Sequence, residues 1–555
     1  VRRRNAALAA GLLVVVAVGG LGVLAGTGVL SGGRVTPTAS GAVPRFVDET
    51  ATAGLAHTYD GGSAYLEGGG IAAFDCTGDG RPELYVAGGT NPAALYRNDS
   101  ATGGALAFSP ISDPVTDMTG VEGAYPIDID GDGTTDLAIL TVHGAHLLRG
   151  LGGCRFEPAD AAFGFDGGAG WTTAFSATWE GGTTLPTLAI GTYQLLDAKG
   201  DPTFTCDTSR LVRPVAGAGT YGPPVILTPG HCTLSMLFSD WDRSGRRDLR
   251  VTNDRHYDAD GSDQLWRVAP GEAPRAYTAD DGWVAMQIWG MGIASYDLTG
   301  DRYPEFYLTS QGDNKLQTLT SGPDHPTYRD IALKRGVNVP NPFTGGDVAP
   351  STAWHPEFTD VNDDGFVDLF VSKGNVSIDP EFAQKDPSNL LMGGPAGTFT
   401  EAADKAGILS FDRGRGATLA DLNGDGLPDL VEVNLGAPVR AWRSVGAGSA
   451  TAPAAMGHWL DVAVTEPAPN RDAIGAWIEV RVGDTVLRRE ITVGGGHLGG
   501  TLAPAHFGLG SATAVDVRVQ WPDGEQGPWL GTTVDGVVVV DRGTGTIAPR
   551  RPTAP

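Results

Sequence analysis

Asp128, Asp130, Asp132 and Asp136 place four carboxylates at positions 1, 3, 5 and 9 of a nine-residue stretch, with Gly133 at position 6 to allow a sharp turn. In a tight turn this spacing aims the oxygen-bearing side chains at one point, and a backbone carbonyl near position 7 can join them. The chemistry that suits such a cluster is capture of a hard cation: Ca2+ takes about 6–8 oxygens at ~2.3–2.6 Å. Without a cation the same carboxylates repel one another. Two more copies are complete, Asp360/Asn362/Asp364/Asp368 and Asp421/Asn423/Asp425/Asp429. Asp75/Thr77/Asp79/Glu83 and Asp297/Thr299/Asp301/Glu305 are weaker versions, and Arg302 replaces the turn glycine in the second. Asp240/Asp242/Asp248 has Ser244 at position 5 and three nearby arginines, Arg243, Arg246 and Arg247, that can neutralise it without metal. The expectation is three calcium sites, two degenerate ones and a sixth that arginine can fill. Six divalent ions would bring the formal charge from −26 to about −14, so part of the acidity is structural.

These turns must be positioned by strands. Each is preceded by an apolar stretch and followed by another, such as LYVAGG, LAILTV, FYLTS, LFVSKG or LVEVNL. The interval from 128 to 240 is double the others, and midway through it residues 173–193 repeat the strand–turn–strand shape with the acidic residues lost. The turns then start near 75, 128, 178, 240, 297, 360 and 421, in seven units of roughly 50–63 residues. A repeat of this length signals an array of small sheets. Each unit continues with an aromatic strand (FEPADAAFG, YRDIALKRGV, FTEAADKAGI), which the last unit lacks and which residues 46–55 supply ahead of the first. Pairing that leading copy with the last unit would close the ring and remove the unpaired sheet edges. The fold class expected is all-β: a seven-bladed β-propeller over 45–450, with a small C-terminal β-sandwich or β-roll over 457–545, where IEVRVGDTVLRREITV alternates as two strands around a Gly-Asp turn.

With the turns in place, the chain resembles the FG-GAP/VCBS repeat proteins, whose integrin-like propellers carry Ca2+ in such turns; the resemblance covers about 45–445. Residues 457–530 resemble a second family, the ASPIC/UnbV domain, through NRDAIGAWIEVRVGD (470–484), REITVGGGHLGG (489–500), HFGLG (506–510) and VRVQWPDG (517–524). The whole is similar to bacterial relatives of cartilage acidic protein. After Gly496 the tract reads HLGGTLAPA, where that family has an aromatic and a serine-containing polar stretch. The resemblance implies a calcium-bearing propeller and supplies no activity.

The N-terminus carries Arg2, Arg3 and Arg4 followed by an uncharged run over 6–30. Such a run is long enough to span a ~30 Å hydrocarbon core, with the basic flank held in the cytoplasm. Residues 1–30 therefore read as a signal-anchor, with a cleaved signal peptide as the alternative, and 31–44 as a flexible linker. The expected location is extracytoplasmic, either anchored at the cell surface or secreted, with membrane contact only through 6–30. Four cysteines form no CxxC and no zinc spacing. Cys206 and Cys232 flank one insertion and are paired on that ground; Cys76 with Cys154 is what remains, and free buried thiols are the alternative.

A charge of −26 excludes nucleic acid as a partner, since phosphate binding needs clustered lysine and arginine. Neither HExxH, GxSxG nor a Walker A loop is present, so no catalytic residue is assigned. Residues 494–499 match GxGxxG, but the glycines and Pro504 that follow preclude a nucleotide-binding helix. His497 and His506 read as structural histidines, and Trp171, Trp179, Trp241 and Trp289 as core. The function expected is a non-catalytic surface module that binds a protein or glycan through its connecting loops, notably 194–230 and 373–389. The alternatives are a polysaccharide lyase or hydrolase and an accessory factor in secondary-metabolite biosynthesis.

Overall fold

The strands flanking the nine-residue turns are buried on both faces, which is why they alternate so little between apolar and polar residues. Val121–Ile127 and Asp136–Thr141, on either side of the turn at Asp128, contain only buried residues. The strand preceding each turn is rich in glycine, alanine, serine and threonine, as in Thr172–Thr178 (TTAFSAT) and Gly414–Ala420 (GRGATLA). Small side chains are what a crowded centre admits. The computed structural model describes residues 42–255 and 258–550. The expected export segment 1–30 and the linker 31–44 lie outside the described residues, apart from 42–44.

Between Arg45 and Gly446 the chain forms seven sheets, each with four antiparallel strands from this span, and a separate two-stranded hairpin. Their first strands are Ile71–Phe74, Val121–Ile127, Thr172–Thr178, Thr233–Ser239, Gly290–Tyr296, Ala353–Thr359 and Gly414–Ala420. Each first strand lies against the first strand of the next sheet, and that of the seventh lies against that of the first. The outer strand of the seventh sheet comes from the start of the chain: Arg45–Asp48 pairs antiparallel with Ala437–Gly446, with Phe46 opposite Ser444. The unit whose turn has lost the acidic spacing is the third sheet, its first two strands Thr172–Thr178 and Thr187–Thr192. Part of the connection expected over 194–230 belongs to this sheet as Arg210–Val212 and Val225–Ile226, while Gln194–Leu196 and Pro202–Cys206 form a separate hairpin. Among the described residues helices run to four residues at most, and none is long and apolar enough to cross a membrane.

Both disulfides are formed. Cys76–Cys154 ties the first turn to the second sheet, and Cys206–Cys232 ties the hairpin to the start of the fourth.

After Gly446 the chain builds a sandwich of two four-stranded sheets, one of Ala505–Gly510, His458–Thr465, Gly536–Asp541 and Thr546–Pro549, the other of Thr485–Glu490, Trp477–Val482, Ala514–Gln520 and Leu530–Thr533. Their alternating inward residues, including Leu460, Val462, Ile478, Val480, Val517, Val519 and Val538, form one core. Val482 pairs with Thr485 across the expected Gly-Asp turn.

Between Glu490 and Ala505 the sandwich extends a glycine-rich loop into the centre of the ring. This loop touches the first strand of every sheet. Val493, Gly494, Gly496 and Gly499 bridge to Ala177, Leu237, Ile293 and Ala124, Thr501 pairs with Ala73 and bonds Thr418 at 2.8 Å, and the His497 N–H donates to His355 Nδ1 at 3.1 Å. The glycines are required by this crowding: a Cβ on Gly499 would collide with the carbonyl oxygen of Ile71.

Candidate metal sites at the interdomain face

All six acidic turns share one backbone path. Positions 4 and 6 have positive φ throughout: 80° and 92° at Gly78 and Gly80, 72° and 90° at Gly131 and Gly133, 72° and 84° at Gly424 and Gly426. The path persists where the residue resists it, with Arg243 at 58° and Asp363 at 57° in position 4, and Arg302 at 84° in position 6. Hydrogen bonds explain its persistence. The position-1 aspartate accepts from the backbone N–H of position 6: Asp75 from Gly80 (2.9 Å), Asp128 from Gly133 (2.9 Å), Asp240 from Gly245 (3.0 Å), Asp297 from Arg302 (3.2 Å), Asp360 from Gly365 (2.8 Å) and Asp421 from Gly426 (2.8 Å). The position-9 carboxylate accepts from the N–H of position 2, as Asp136 does from Ile129 (2.9 Å) and Asp429 from Leu422 (3.1 Å).

In the turn at Asp128, carboxylate oxygens of Asp128, Asp130 and Asp136 lie within 4.8 Å of one another. Asp132, expected as a fourth ligand, is not in that group. It accepts the Thr134 N–H at 2.7 Å and faces Arg149, which also pairs with Asp130 at 2.9 Å. Burial, then the charge of Asp472, pushes the Asp128 carboxyl up to about 7; burial pushes Asp136 up to about 8. In the turn at Asp421, Asn423 Oδ1 and Asp425 Oδ2 are buried without a hydrogen-bond partner. Burial and the charge of Asp461 hold Asp421 at about 7. In the turn at Asp360, Asn362 donates to Asp364 at 3.0 Å, and Asp360 and Asp368 are held well above the carboxylate range by burial and by neighbouring aspartates. The converging carboxylates of the Asp128 turn fit a hard divalent ion, and the two orphaned oxygens of the Asp421 turn suit one; the carboxylates expected as ligands in the Asp360 and Asp421 turns are not gathered as closely among the described residues.

The other turns have cationic partners. Arg550 reaches Asp75 at 2.7 Å, and Arg81 pairs with Asp79; Thr77 contacts Glu83 at 3.3 Å. Arg488 reaches Asp297 at 3.1 Å, Thr299 bonds Glu305 at 3.2 Å, and Asp301 caps the Tyr303 N–H at 3.0 Å. Arg246 sits within the turn at Asp240, pairing with Asp248 at 3.0 Å and Asp242 at 3.4 Å. The acid-poor turn of the third sheet is closed by Arg213 on Glu180 at 2.6 Å. Among the described residues Cys76, Glu83 and Cys154 also cluster, but both thiols are consumed by their disulfide.

The sandwich covers this whole face of the ring. Besides Arg488 and Arg550, Glu490 accepts from the Asp240 N–H at 2.7 Å and from the Ser239 hydroxyl at 2.6 Å, and His506 bridges Asp363 (3.1 Å) and Asp461 (2.8 Å). Sequence reasoning missed these partners because they lie up to 475 residues from the turns they meet. A cavity of about 500 Å3 remains between ring and sandwich, lined among others by His355, Glu357, Arg489 and His506.

A family profile for an FG-GAP-like repeat matches residues 75–139, and one for ASPIC and UnbV matches residues 466–547. The chain carries an FG-GAP-like repeat and a C-terminal ASPIC and UnbV domain. The matched FG-GAP-like repeat contains the turns at Asp75 and Asp128, and the matched ASPIC and UnbV domain contains the loop that enters the ring. No curated protein matches the chain. Among solved structures it is similar to an Agrocybe aegerita lectin that recognises non-reducing terminal N-acetylglucosamine (15% identity, 67% of this chain and 93% of that one, TM-score 0.38). It is also similar to BBS1N in complex with ARL6DN (10%, 72% and 96%, 0.39) and to a hypothetical selenium-binding protein from Sulfolobus tokodaii (12%, 70% and 86%, 0.40). At these TM-scores none of the three informs fold or function.

Proposed function

We propose that the chain is an extracytoplasmic, calcium-binding seven-bladed β-propeller that works as a non-catalytic surface module, binding a protein or glycan partner. The observation that carries the calcium reading is the single backbone path of the six turns, with carboxylate oxygens converging in the turn at Asp128. The FG-GAP-like repeat over two of these turns supports it. Two disulfides favour an oxidising compartment.

The binding surface follows from topology. The ASPIC and UnbV domain covers the ends of the sheets that carry the turns, and its loop fills the centre. Connections at the opposite ends stay open, and large apolar side chains stand exposed on them, including Leu195, Val284, Leu333, Val348, Ile378 and Phe411. We take these side chains as the surface to test for partner binding.

Two measurements test the reading. Elemental analysis of the purified ectodomain should find bound calcium, and its removal by EDTA should lower Tm by several degrees, since a ligand bound only by the native state stabilises that state. Glycan-array and pull-down screening should then find a partner whose binding is lost on Val348→Asp or Phe411→Asp. Calcium-free protein with unchanged Tm would overturn the metal reading. Partner binding insensitive to both substitutions would overturn the surface assigned.

A further inference from the structure

The cavity of about 500 Å3 between ring and sandwich falls within the range of small-molecule pockets, about 300–1,000 Å3, and lies where such pockets occur, at a domain interface. Most cations and acids on its wall have partners. Arg550 pairs with Asp75 at 2.7 Å, His506 with Asp461 at 2.8 Å, and Glu490 accepts the Ser239 hydroxyl at 2.6 Å. Two side chains on that wall differ. Arg489, on the sandwich strand Thr485–Glu490, makes no hydrogen bond or ion pair among the described residues. Glu357 stands on Ala353–Thr359, the first strand of the sixth sheet. Its Oε2 accepts the Leu419 N–H at 3.1 Å and faces His355 Nε2 at 3.4 Å, while no bond reaches its Oε1.

His355 does not neutralise this acid. Its Nδ1 accepts the His497 N–H at 3.1 Å, so that nitrogen carries no proton and the ring meets Glu357 as a neutral donor. The cavity is therefore lined by one guanidinium and one carboxylate oxygen, contributed by different domains and not joined to each other. Charges at a covered joint are costly unless paired. A ligand that carries both opposite charges pairs both. The wall also bears Ile293, Phe358, Ile491 and Val493, which suit an apolar side chain. Asp421 and Asp472 line it too, which favours an ammonium on the ligand and disfavours one that is anionic overall.

We propose that the interdomain cavity binds a zwitterionic small molecule with an apolar side chain, a free amino acid or short peptide, its carboxylate held by Arg489 and its ammonium by Glu357. The planar guanidinium offers a carboxylate two parallel donors, and Glu357 Oε1 offers an acceptor to the ammonium. This site is separate from the partner surface at the opposite ends of the sheets, and neither residue is a candidate metal ligand.

The test is isothermal titration calorimetry of the whole ectodomain with free leucine, Leu-Leu, N-acetyl-Leu-Leu and Leu-Leu-amide, with circular dichroism to check the folding of each variant. Leucine or Leu-Leu should bind, and masking either end of the dipeptide should weaken it about tenfold or more, as expected on loss of a charged hydrogen-bond partner. Glu357→Gln should weaken Leu-Leu and become indifferent to acetylation. Arg489→Gln should weaken Leu-Leu and become indifferent to amidation. Absence of binding by both free leucine and Leu-Leu at millimolar concentration overturns the proposal. Binding that acetylation leaves unchanged overturns the zwitterion, leaving a carboxylate alone as the ligand group. If both folded variants keep the unaltered protein's response to both masks, Arg489 and Glu357 do not hold the ends, and the assignment of residues falls.

Discussion

His497 Nε2 lies 2.7 Å from the carbonyl oxygen of Glu67, a residue 430 positions earlier in the chain. The histidine stands on the loop that the sandwich sends into the ring, is fully buried, and packs its ring against Trp354 with centroids 5.0 Å apart. Burial pulls its pKa down to about 3, so the imidazole is neutral across the working range. The contact makes the loop a structural part of the ring. His497→Ala should therefore destabilise the ring and sandwich together, by about 2–4 kcal/mol, because it empties a packed site and strips a buried carbonyl of its donor. Gly499→Ala should cost about 1–3 kcal/mol by forcing a Cβ against backbone. Denaturant unfolding measures both; two separate transitions in the unaltered protein would contradict the coupling.

The acid next to this contact gives a pH dependence of known sign. Burial, then the charge of Asp254, raises the Glu67 carboxyl to about 8, against the opposing effect of Arg415; Glu122 beside it is raised well above its usual range by burial. A carboxyl whose folded pKa exceeds the unfolded value contributes stability that is complete below about 4.5 and is lost as pH rises through about 8. Glu67→Gln removes that dependence. The variant should gain on the unaltered protein by a few kcal/mol between pH 5 and 9, read from denaturation midpoints. Parallel profiles would mean that Glu67 ionises without strain.

The fold was legible where local chemistry is repeated. Six turns with one spacing announced one backbone path, and the third sheet could be placed without the acidic spacing because the apolar stretches around 178 kept their interval. The sandwich was legible through alternation on either side of Gly483 and Asp484. What sequence did not disclose is the contact between the two. Gly494, Gly495, Gly496 and Gly499 signal close approach of backbone, but nothing local says that the approaching backbone belongs to the first strands of the ring. Likewise Asp132 has the right type and position for a ligand, yet the hydrogen bond from the Thr134 N–H and the pull of Arg149 turn it outward. Arg149 lies on another strand, outside the motif that nominated Asp132.

Arg302 tests whether backbone conformation alone sets a turn's stability. It holds φ at 84° where every other acidic turn has glycine, and its exposed side chain makes no hydrogen bond or ion pair among the described residues. Left-handed backbone costs a residue with a Cβ about 1–2 kcal/mol, partly offset by the greater freedom glycine has when unfolded. Arg302→Gly should stabilise by about 0.5–1 kcal/mol, seen as a small rise in Tm. A loss of stability would show that the arginine makes contacts that outweigh the strain.

The order of metal loss should separate Asp136 from Asp132. Both are aspartates of one turn, and spacing alone ranks them equally. The geometry does not: Asp136 is fully buried, its oxygen belongs to the convergent group, and the N–H groups of Ile129 and Gly150 fix it at 2.9 and 2.7 Å. Asp132 is half-exposed and bound to Arg149. Replacing Asp136 by Ala removes a ligand and leaves those two N–H groups unsatisfied, so one calcium should be lost together with about 2–3 kcal/mol of stability. Replacing Asp132 by Ala removes a rim charge worth at most about 1 kcal/mol, so calcium should stay bound with modestly reduced affinity. Replacing Ser244 by Ala, in a turn already closed by Arg246, should change neither quantity. If Asp132→Ala strips the ion as fully as Asp136→Ala does, binding draws Asp132 inward and away from Arg149, and the position-5 side chain is a ligand after all.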